Sequence, residues 1–345
     1  MQTKIIKVNP KNPQISKIKQ AARLIRQGNL VAFPTETVYG LGANALSHPA
    51  VKKIFTAKGR PSDNPLIIHI YDKNDIYLLA KDIPKITEKI IRRFWPGPLT
   101  IVLKKSQIVP KITTGGLNTV AIRMPKNKIV NLLLREAGVP IAAPSANFAG
   151  KPSPTLARHV YDDLKDRIDL IIDGGQTSIG IESTVIDLSR KRPMLLRPGG
   201  ATLEEIQKTI GRIDVHPFLK SGKLNSVSRS PGMKYRHYSP AAKLILIEGT
   251  KQNVNKKISQ LIKAYKKQRK RVGVMTIDKN FSQKADMIKY VGNSFESIAT
   301  NLFKTFREFD SKRIDIILMQ GVSQRGLGLG IMNRLSKAAY KKIKI

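Results

Sequence analysis

The sequence predicts a mixed α/β (α+β) protein with two domains, and three observations lead to this prediction. The chain has 345 residues, of which 41% are hydrophobic, and this is enough to bury two separate cores. As far as about residue 212, short apolar runs and helical periods follow one another without strict alternation, which is typical of a twisted mixed sheet. From Leu244 onwards strands and helices alternate, and this pattern favours a small parallel sheet.

In the first part of the chain, apolar runs bounded by turn residues predict strands, and apolar residues at helical spacing predict helices. The helix at 14–27 stops at Gly28, a residue that is favoured just past a helix end. Further helices are predicted at 48–58, 84–94, 128–136, 156–164 and 203–210. Strands are predicted at 5–8, 30–33, 66–70, 99–103, 119–124, 170–173, 184–188 and 194–197.

Residues 213–240 lack a clean period and contain several prolines and glycines, which indicates a linker between two domains. The end of this segment, 230–240, is too rich in Tyr, His and Arg for a passive spacer. Beyond it, strands are predicted at 244–247, 272–277, 287–291 and 314–319, and helices at 256–267 and 295–309. The predicted organisation is a first domain at 1–212, a linker at 213–240 and a C-terminal α/β domain at 241–345.

The composition is strongly basic and contains no cysteine. Lys and Arg number 62 against 24 for Asp and Glu, which gives a formal net charge of +38. Such a charge repels itself, so nucleotides, nucleic acid or other anionic partners are expected. The lack of cysteine excludes disulfides and thiolate metal sites and fits the reducing cytoplasm. Neither a signal peptide nor a membrane span is predicted, so we expect a soluble cytoplasmic protein without membrane partners.

Several other chemical classes are disfavoured by residue spacing. The five histidines are scattered and give no pair at metal-ligand spacing. Ser145 lacks the glycine elbow of a serine hydrolase, and no histidine–carboxylate partners can be placed for it. The glycines at 326–330 are not followed by the βαβ unit of a dinucleotide site, and Gly40 and Gly42 match no nucleotide fingerprint.

Lys58 and Arg60 carry the first sign of a functional site. They are separated by one glycine, which lets the backbone come close to a ligand held by both side chains. A lysine supplies a point charge, whereas an arginine grips phosphate or carboxylate with a planar fork. The pair therefore suits an oxyanion with several oxygens, such as a polyphosphate. Further cations and hydroxyls that can hold and orient anions are predicted at strand ends, namely Arg123, Ser145, Asn147, Ser183 and Arg197.

Three stretches, in this order along the chain, resemble the YrdC-like domain of threonylcarbamoyl-adenylate synthases. They are residues 33–45, 58–70 and 143–155, and they contain the pairs Lys58-x-Arg60 and Ser145-x-Asn147. Shorter matches lie at 95–100, 121–125, 180–184 and 196–199. The segment 230–240 is similar to one in the long, two-domain form of this family. The resemblance thus implies a twisted-sheet YrdC-like domain followed by a Rossmann-like C-terminal domain.

The resemblance also implies a reaction and its partners. L-Threonine takes up bicarbonate as an N-carboxylate, which attacks the α-phosphorus of ATP to give threonylcarbamoyl-adenylate and pyrophosphate. A partner threonylcarbamoyl transferase then uses the adenylate to modify tRNA next to the anticodon, and direct tRNA binding by this chain is left open. Mg²⁺ is expected on the ATP phosphates, because it keeps several waters and needs few protein ligands. No metal site made by protein side chains alone is predicted.

Family position further implies a role for each site residue. L-Threonine would be held by Thr35, His69, Arg123, Ala143 and Ser183, with Arg123 on the carboxylate. ATP would be held by Lys58, Arg60, Ser62, Asn64, Thr119, Ser145, Asn147, Ser153, Arg197, Tyr235 and Arg236. The catalytic set would be Lys58, Arg60, Ser145 and Asn147. Residues 230–240 would close over the ATP end as a lid, because the carbamate and the mixed anhydride both decompose in water.

Two other functions remain as alternatives at this point. A non-catalytic RNA-binding protein is suggested by the net charge and by 256–271, which is rich in Lys and Arg and has no acidic residue. Apolar residues at helical spacing in the same segment favour a packed helix with a basic solvent face instead. A carbamoyl-adenylate enzyme of hydrogenase maturation has a related domain, but such proteins carry cysteine-rich modules and this chain has no cysteine.

Overall fold

A computed structural model of the chain describes residues 2–217, 219 and 238–345. Contacts divide the chain into two units, Met1–Ala149 with Ser153–Tyr235, and Gly150–Pro152 with Arg236–Ile345. Each unit contains its own sheet, one large and mixed and one small and parallel, which confirms the predicted fold class. The linker prediction at 213–240 falls mostly outside the described residues, and the predicted domain boundaries therefore stay predictions.

The first unit is built from twelve strands and seven helices among the residues that the structure describes. Its helices are α1 (Ile15–Arg26), α2 (His48–Lys58), α3 (Asp75–Leu79), α4 (Ile86–Phe94), α5 (Lys128–Ala137), α6 (Ala157–Leu164) and α7 (Leu203–Ile210). Its strands are β1 (Lys4–Lys7), β2 (Val31–Phe33), β3 (Gly40–Asn44), β4 (Ile67–His69), β5 (Ala80–Lys81), β6 (Leu99–Lys105), β7 (Thr119–Arg123), β8 (Ile141–Ala142), β9 (Leu170–Asp173), β10 (Thr184–Asp187), β11 (Met194–Arg197) and β12 (Asp214–Val215).

The strands form one sheet in the order β1-β9-β2-β3-β8-β4-β7-β6-β10-β11-β12, with β5 paired to β6. Parallel pairs such as β4 with β7 alternate with antiparallel pairs such as β3 with β8. Helices α1 and α5 pack on the side of β2 and β9, where Ile18, Ile25 and Leu133 are fully buried. Burying one such side chain stabilises the fold by about 1.5–3 kcal/mol. The cluster therefore holds β2 and β9 in place beneath the two helices.

Helix α2 ends where the Lys58 motif begins. Its first turn is capped by Ser47, whose hydroxyl accepts a hydrogen bond from the backbone N–H of Ala50. Its last turn is closed by Gly59 in the left-handed conformation, at a φ of 60°. A Cβ at this position would lie 2.7 Å from the ring of Phe148, so glycine is required for space as well as for backbone conformation. The two cations therefore lie on either side of a sharp chain reversal.

The glycines at 40 and 42 belong to a strand that the sequence did not predict. Both lie in β3, which is antiparallel to β2 and is covered by the ring of Phe33. A Cβ on Gly42 would lie 2.5 Å from that ring and 2.7 Å from Ile141. Gly42 therefore makes room for an aromatic ring between strands. The lack of branched residues in β3 explains why its sequence does not look like a strand.

The second unit alternates strands with helices, as predicted. Its strands are β13 (Lys243–Glu248), β14 (Val272–Thr276), β15 (Met287–Tyr290), β16 (Ile316–Gln320) and β17 (Lys341–Lys344), and its helices are α8 (Lys251–Lys267), α9 (Phe295–Ser311) and α10 (Leu327–Ala338). All pairs in the order β15-β14-β16-β13-β17 are parallel. The sequence did not predict α10 and β17. The glycines at 326–330 lie at the start of α10, and a strand follows this helix in the sheet.

Helix α8 is amphipathic, which supports the packed-helix interpretation of the basic segment. Val254, Ile258 and Ile262 are buried against the parallel sheet, while Lys256 and Lys263 are exposed. Among the described residues, no helix is both long and apolar enough to cross a membrane.

Candidate active site

Lys58 physically connects the two short motifs of the first unit. The side chain is 1% exposed, and its Nζ donates hydrogen bonds of 2.5 Å to the backbone carbonyls of Ser145 and Asn147. An ammonium group has three donors, so this contact uses two of them for the loop that carries the second motif. Lys58 is therefore first a positioning residue for Ser145 and Asn147.

The loop after β8 is held on several sides. Ala143 donates its N–H to the carbonyl of Ile67, and Leu41 donates to the carbonyl of Pro144. Ser145 Oγ donates to Asn147 Oδ1 at 2.6 Å, which fixes the two polar side chains relative to each other. The loop therefore presents the hydroxyl and the amide as one rigid group.

Arg123 and His69 lie side by side at the ends of two parallel strands. They are paired in register between β7 and β4, and they are 4% and 3% exposed. Arg123 Nε donates to the carbonyl of Gly97 at 3.2 Å, and Nη1 donates to Thr37 Oγ1 at 2.9 Å. The guanidinium is thus fixed at the carboxyl end of its strand, where a substrate carboxylate can be recognised.

His69 is neutral at physiological pH. Burial, and then the positive charge of Arg123, lower the pKa of His69 from 6.5 to about 3. A neutral imidazole does not repel the adjacent guanidinium. Its Nδ1 has no hydrogen-bond partner in the described part of the chain and can bond to an uncharged hydroxyl. This is compatible with its predicted place in a threonine site.

Two residues of the turn before β3 belong to the site but were not assigned by the sequence. Thr37 accepts the hydrogen bond from Arg123 and lies 2.8 Å from Thr35, hydroxyl to hydroxyl. Glu36 Oε1 lies 2.8 Å from Arg123 Nη2, and this pair of charges is buried. Both residues lie in the stretch Pro34-Thr-Glu-Thr37. A charged residue such as Glu36 beside a buried strand is unusual, and this could have indicated a functional residue.

A second buried arginine organises the loop that contains Ser183. Arg197 Nε donates to the carbonyl of Ser183 at 3.0 Å, and Nη2 donates to its hydroxyl at 3.1 Å. The same hydroxyl lies 2.8 Å from Thr100 Oγ1. Close by in sequence, Glu182 accepts a hydrogen bond from the hydroxyl of buried Ser153. Thr100 and Glu182 are again residues that the sequence did not single out.

The predicted residues do not all meet at one point. Thr119 starts β7 and Arg123 ends it, so the two lie about 13 Å apart at the usual rise of a strand. Arg60 Nη2 donates to the carbonyls of Asn64 and Pro65, which closes the turn over buried Asn64. Arg60 and exposed Ser62 line an open cavity of about 580 Å³. Predicted residues Tyr235 and Arg236, with most of the predicted lid, lie outside the described residues.

Fold and site together define a two-domain α/β protein whose first unit carries a partly buried candidate site lined by cations and hydroxyls. A family model described as "Telomere recombination", for Sua5, YciO and YrdC proteins, matches residues 23–199. A second, described as "Threonylcarbamoyl-AMP synthase, C-terminal domain", matches residues 201–340. The chain belongs to the threonylcarbamoyl-AMP synthase family, in its two-domain form.

Relatives in two distant organisms resemble the chain over nearly its whole length. The threonylcarbamoyl-AMP synthase of Pyrococcus abyssi is 55% identical over 330 residues, which are 95% of this chain and 96% of that protein. That of Bacillus subtilis is 48% identical over 337 residues, 96% and 94% of the two chains. A crystal structure of P. abyssi Sua5 complexed with L-threonine matches with a TM-score of 0.95 and 53% identity, covering 99% of each chain.

These comparisons confirm the resemblance that the sequence motifs indicated. They favour neither the RNA-binding alternative nor the hydrogenase-maturation alternative.

Proposed function

We propose that the protein is an L-threonylcarbamoyladenylate synthase. It joins L-threonine, bicarbonate and ATP, and it releases threonylcarbamoyl-AMP and pyrophosphate. The observation that carries this proposal is the hydrogen bonding of Lys58 to the Ser145–Asn147 loop, because it brings two motifs of the family together in one rigid site. The curated names of the full-length relatives, and the threonine bound to one of them, support the choice of substrates.

The amino acid is proposed to bind at the ends of β4 and β7. Arg123 would pair with the threonine carboxylate, since its guanidinium is fixed by the carbonyl of Gly97 and the hydroxyl of Thr37. Neutral His69 and the hydroxyls of Thr35 and Ser183 would face the uncharged part of threonine. The backbone of Ala143 would complete the site, as expected from family position.

The nucleotide is proposed to extend from this end towards Arg60 and Thr119. The strand-length separation of Thr119 from Arg123 suits an elongated ligand such as ATP. Arg197, Ser145, Asn147 and Ser153 would contact its phosphates. Their task is to hold the N-carboxylate in line with the α-phosphorus and to stabilise the charge that develops there, because positioning and charge stabilisation dominate phosphoryl-group catalysis.

We further propose that Mg²⁺ accompanies the triphosphate. Ser153 Oγ and the Glu182 carboxylate are hard oxygen donors on neighbouring loops, the type of donor that this ion prefers, and they are hydrogen bonded to each other. When bound, the ion neutralises phosphate charge, and Ser153 and Glu182 would hold it directly or through its waters. The described residues contain no group of three or more His, Cys, Asp or Glu side chains placed to hold a metal ion.

The product defines the next partner. A mixed carbamic–phosphoric anhydride is a reactive acyl donor, so we propose that a threonylcarbamoyl transferase accepts it and modifies a tRNA adenosine. We expect this to take place in the cytoplasm, where ATP, threonine and tRNA are present together.

The proposed function can be tested by measuring pyrophosphate release from ATP. Four reactions should be compared: with both threonine and bicarbonate, with either alone, and with neither in degassed buffer. We expect release only when both are present. Release that depends on threonine but not on bicarbonate would indicate an aminoacyl-adenylate instead, and release with neither would indicate simple ATP hydrolysis.

A further inference from the structure

The ion pair between Glu36 and Arg123 is the least satisfied part of the site. The two side chains are 7% and 4% exposed. Their charged atoms are 2.8 Å apart, yet neither Glu36 oxygen accepts a hydrogen bond from any residue in the described part of the chain, and Arg123 Nη2 donates none there. The rest of the guanidinium is well bonded, through Nε and Nη1.

Such an arrangement is costly for a structural ion pair. Taking two charges out of water is repaid only when good geometry and further hydrogen bonds satisfy the remaining donors and acceptors. Here Glu36 Oε1 contacts Arg123 only as an ion pair, and Oε2 has no hydrogen-bond partner in the described part of the chain. The backbone around Glu36 is held firmly. Ile179 N–H donates to the carbonyl of Glu36, and Gly180 N–H donates to that of Thr37. The Glu36 side chain is therefore held beside Arg123 with acceptor oxygens that a bound cationic group could use.

An amino acid carries charges that complement this pair. Its carboxylate matches Arg123, and its ammonium group, with three donors, matches a carboxylate that lacks donors. Arg123 alone, or with the other cations of the site, would attract any hydroxy acid as readily as threonine. A carboxylate at this point repels anions that lack an ammonium group, which provides specificity by an unfavourable contact.

We propose that Glu36 is the specificity-determining residue that recognises the ammonium group of the amino-acid substrate, while Arg123 takes its carboxylate. On binding, the Glu36 side chain turns from Arg123 to the ammonium group and the substrate carboxylate takes its place on the guanidinium, so that two ion pairs replace one. This inference rests on the proposed function for the identity of the substrate, but it concerns only how that substrate is selected.

A competing explanation is that Glu36 only positions Arg123. The two explanations predict different changes in affinity, when the Glu36 carboxylate is removed, for ligands that carry one charge. A positioning role predicts that removing the carboxylate weakens the binding of every ligand that Arg123 contacts. Recognition of the ammonium group predicts that removing the carboxylate weakens the binding of cationic and zwitterionic ligands and tightens the binding of anionic ones.

The test uses calorimetry on the full chain with three ligands. They are L-threonine, 3-hydroxybutanoate, which lacks the amino group, and 1-aminopropan-2-ol, which lacks the carboxylate. Glu36→Gln keeps the shape and removes the charge. We expect Glu36→Gln to weaken the binding of threonine by roughly 10- to 150-fold, the effect of losing one charge-assisted hydrogen bond. We also expect it to abolish binding of 1-aminopropan-2-ol and to tighten that of 3-hydroxybutanoate.

Thr37→Val serves as the matched control, since it removes the hydroxyl that fixes Arg123 Nη1 and leaves Glu36 in place. Thr37→Val should weaken the binding of both threonine and 3-hydroxybutanoate. If Glu36→Gln behaves in the same way as Thr37→Val, the positioning explanation holds and the proposal is overturned.

The wild-type protein provides a test that does not depend on the variant folding. It should bind threonine more tightly than 3-hydroxybutanoate, and 1-aminopropan-2-ol should compete with threonine. Equal affinity for threonine and 3-hydroxybutanoate in the wild type would overturn the proposal. If threonine supports pyrophosphate release but these ligand preferences are absent, only this inference fails; if threonine neither binds nor supports release, the proposed function fails.

Discussion

At the scale of single residues, Lys58 shows how one buried cation can organise the loop that carries a second motif. Its two hydrogen bonds to main-chain carbonyls link the end of α2 to the loop after β8. The sequence motif suggested a phosphate ligand at this position, whereas the geometry adds a positioning role. Stability and activity should therefore change together when Lys58 is replaced.

Lys58→Met removes the ammonium group but keeps most of the side-chain volume. Two carbonyl groups in a partly buried loop then lose a donor, and each loss costs about 1–3 kcal/mol. We expect a clearly lower midpoint in urea unfolding and pyrophosphate release reduced by roughly 100-fold or more, since about 2.7 kcal/mol corresponds to that factor.

Lys53→Met is the matched control for this substitution. Lys53 lies on the same helix and also donates to a main-chain carbonyl, that of Gly28, but it is exposed. It should change stability by no more than about 0.5 kcal/mol. Equal stability of the two variants would show that the buried contacts of Lys58 contribute nothing.

The buried, neutral His69 should make stability depend on pH. Its pKa is about 3 in the folded protein and 6.5 ordinarily. Between these values the unfolded chain binds a proton that the folded protein does not, so stability falls as pH is lowered through this window. The contribution is at most about 1.4 kcal/mol per pH unit.

The measurement for His69 is urea unfolding of the wild type and of His69→Gln between pH 4 and pH 7. The substitution should reduce the slope of stability against pH in this range. His48→Gln, which replaces an exposed histidine, is the matched control for the substitution itself. A slope that is the same in wild type and His69→Gln would contradict the buried, neutral state.

The sequence singled out the cations of the candidate site but not the residues that they contact. Arg123 and Arg197 could be singled out because charged side chains at the ends of apolar strands are unusual. Lys58 could be singled out because one glycine separates it from Arg60. Thr37 and Thr100 could not be singled out, because their roles depend on contacts with residues more than 80 positions away in the chain. Such long-range pairs are created by strand register, which a single sequence does not specify.

At the scale of elements, β3 connects the proposed threonine end of the site to the loop after β8. Its first residue pairs with Ser145, and the turn before it contains Thr35, Glu36 and Thr37. The close approach of Gly42 to Phe33 and Ile141 fixes its position between β2 and β8. A side chain at this glycine should therefore disturb both fold and site.

Gly42→Ala is expected to destabilise the protein by about 1–3 kcal/mol, the usual cost of overpacking. Phe33→Leu removes ring atoms from the space that the new methyl group needs. In a double-mutant cycle, Gly42→Ala should cost less in the Phe33→Leu background than in the wild type. Unfolding in urea measures the four free energies. Strictly additive costs would show that the ring and the glycine do not compete for space.

Elements with a clear period were predictable and those without one were not. Helix α2, predicted at 48–58, is observed at His48–Lys58, and α7 likewise has its predicted bounds, with a capping box between Thr202 and Glu205. Strand β3 and helix α10 were missed because glycines replace the residues that normally indicate strands and helices. In both elements glycine serves packing: a Cβ on Gly328 would lie within 3.1 Å of the ring of Phe295.

At the scale of the whole molecule, the net charge of +38 should make stability depend on salt. Like charges on the surface repel each other, and the screening length falls from about 10 Å at 0.1 M salt to about 3 Å at 1 M. We expect the melting temperature to rise with NaCl over this range. Replacing exposed Lys256, Lys263 and Lys267 of α8 by glutamine should reduce that rise. A melting temperature that falls with NaCl would contradict the expected repulsion.

The central claim, that this site builds a threonylcarbamoyl-adenylate, is tested most directly by the identity of the nucleotide product. The protein is incubated with ATP, L-threonine and ¹³C-labelled bicarbonate, and the mixture is quenched cold and analysed at once by mass spectrometry. The predicted result is an adduct of AMP that contains threonine and the labelled carbon. Threonyl-AMP without the label, or AMP and pyrophosphate formed without any threonine-containing adduct during the whole time course, would contradict it.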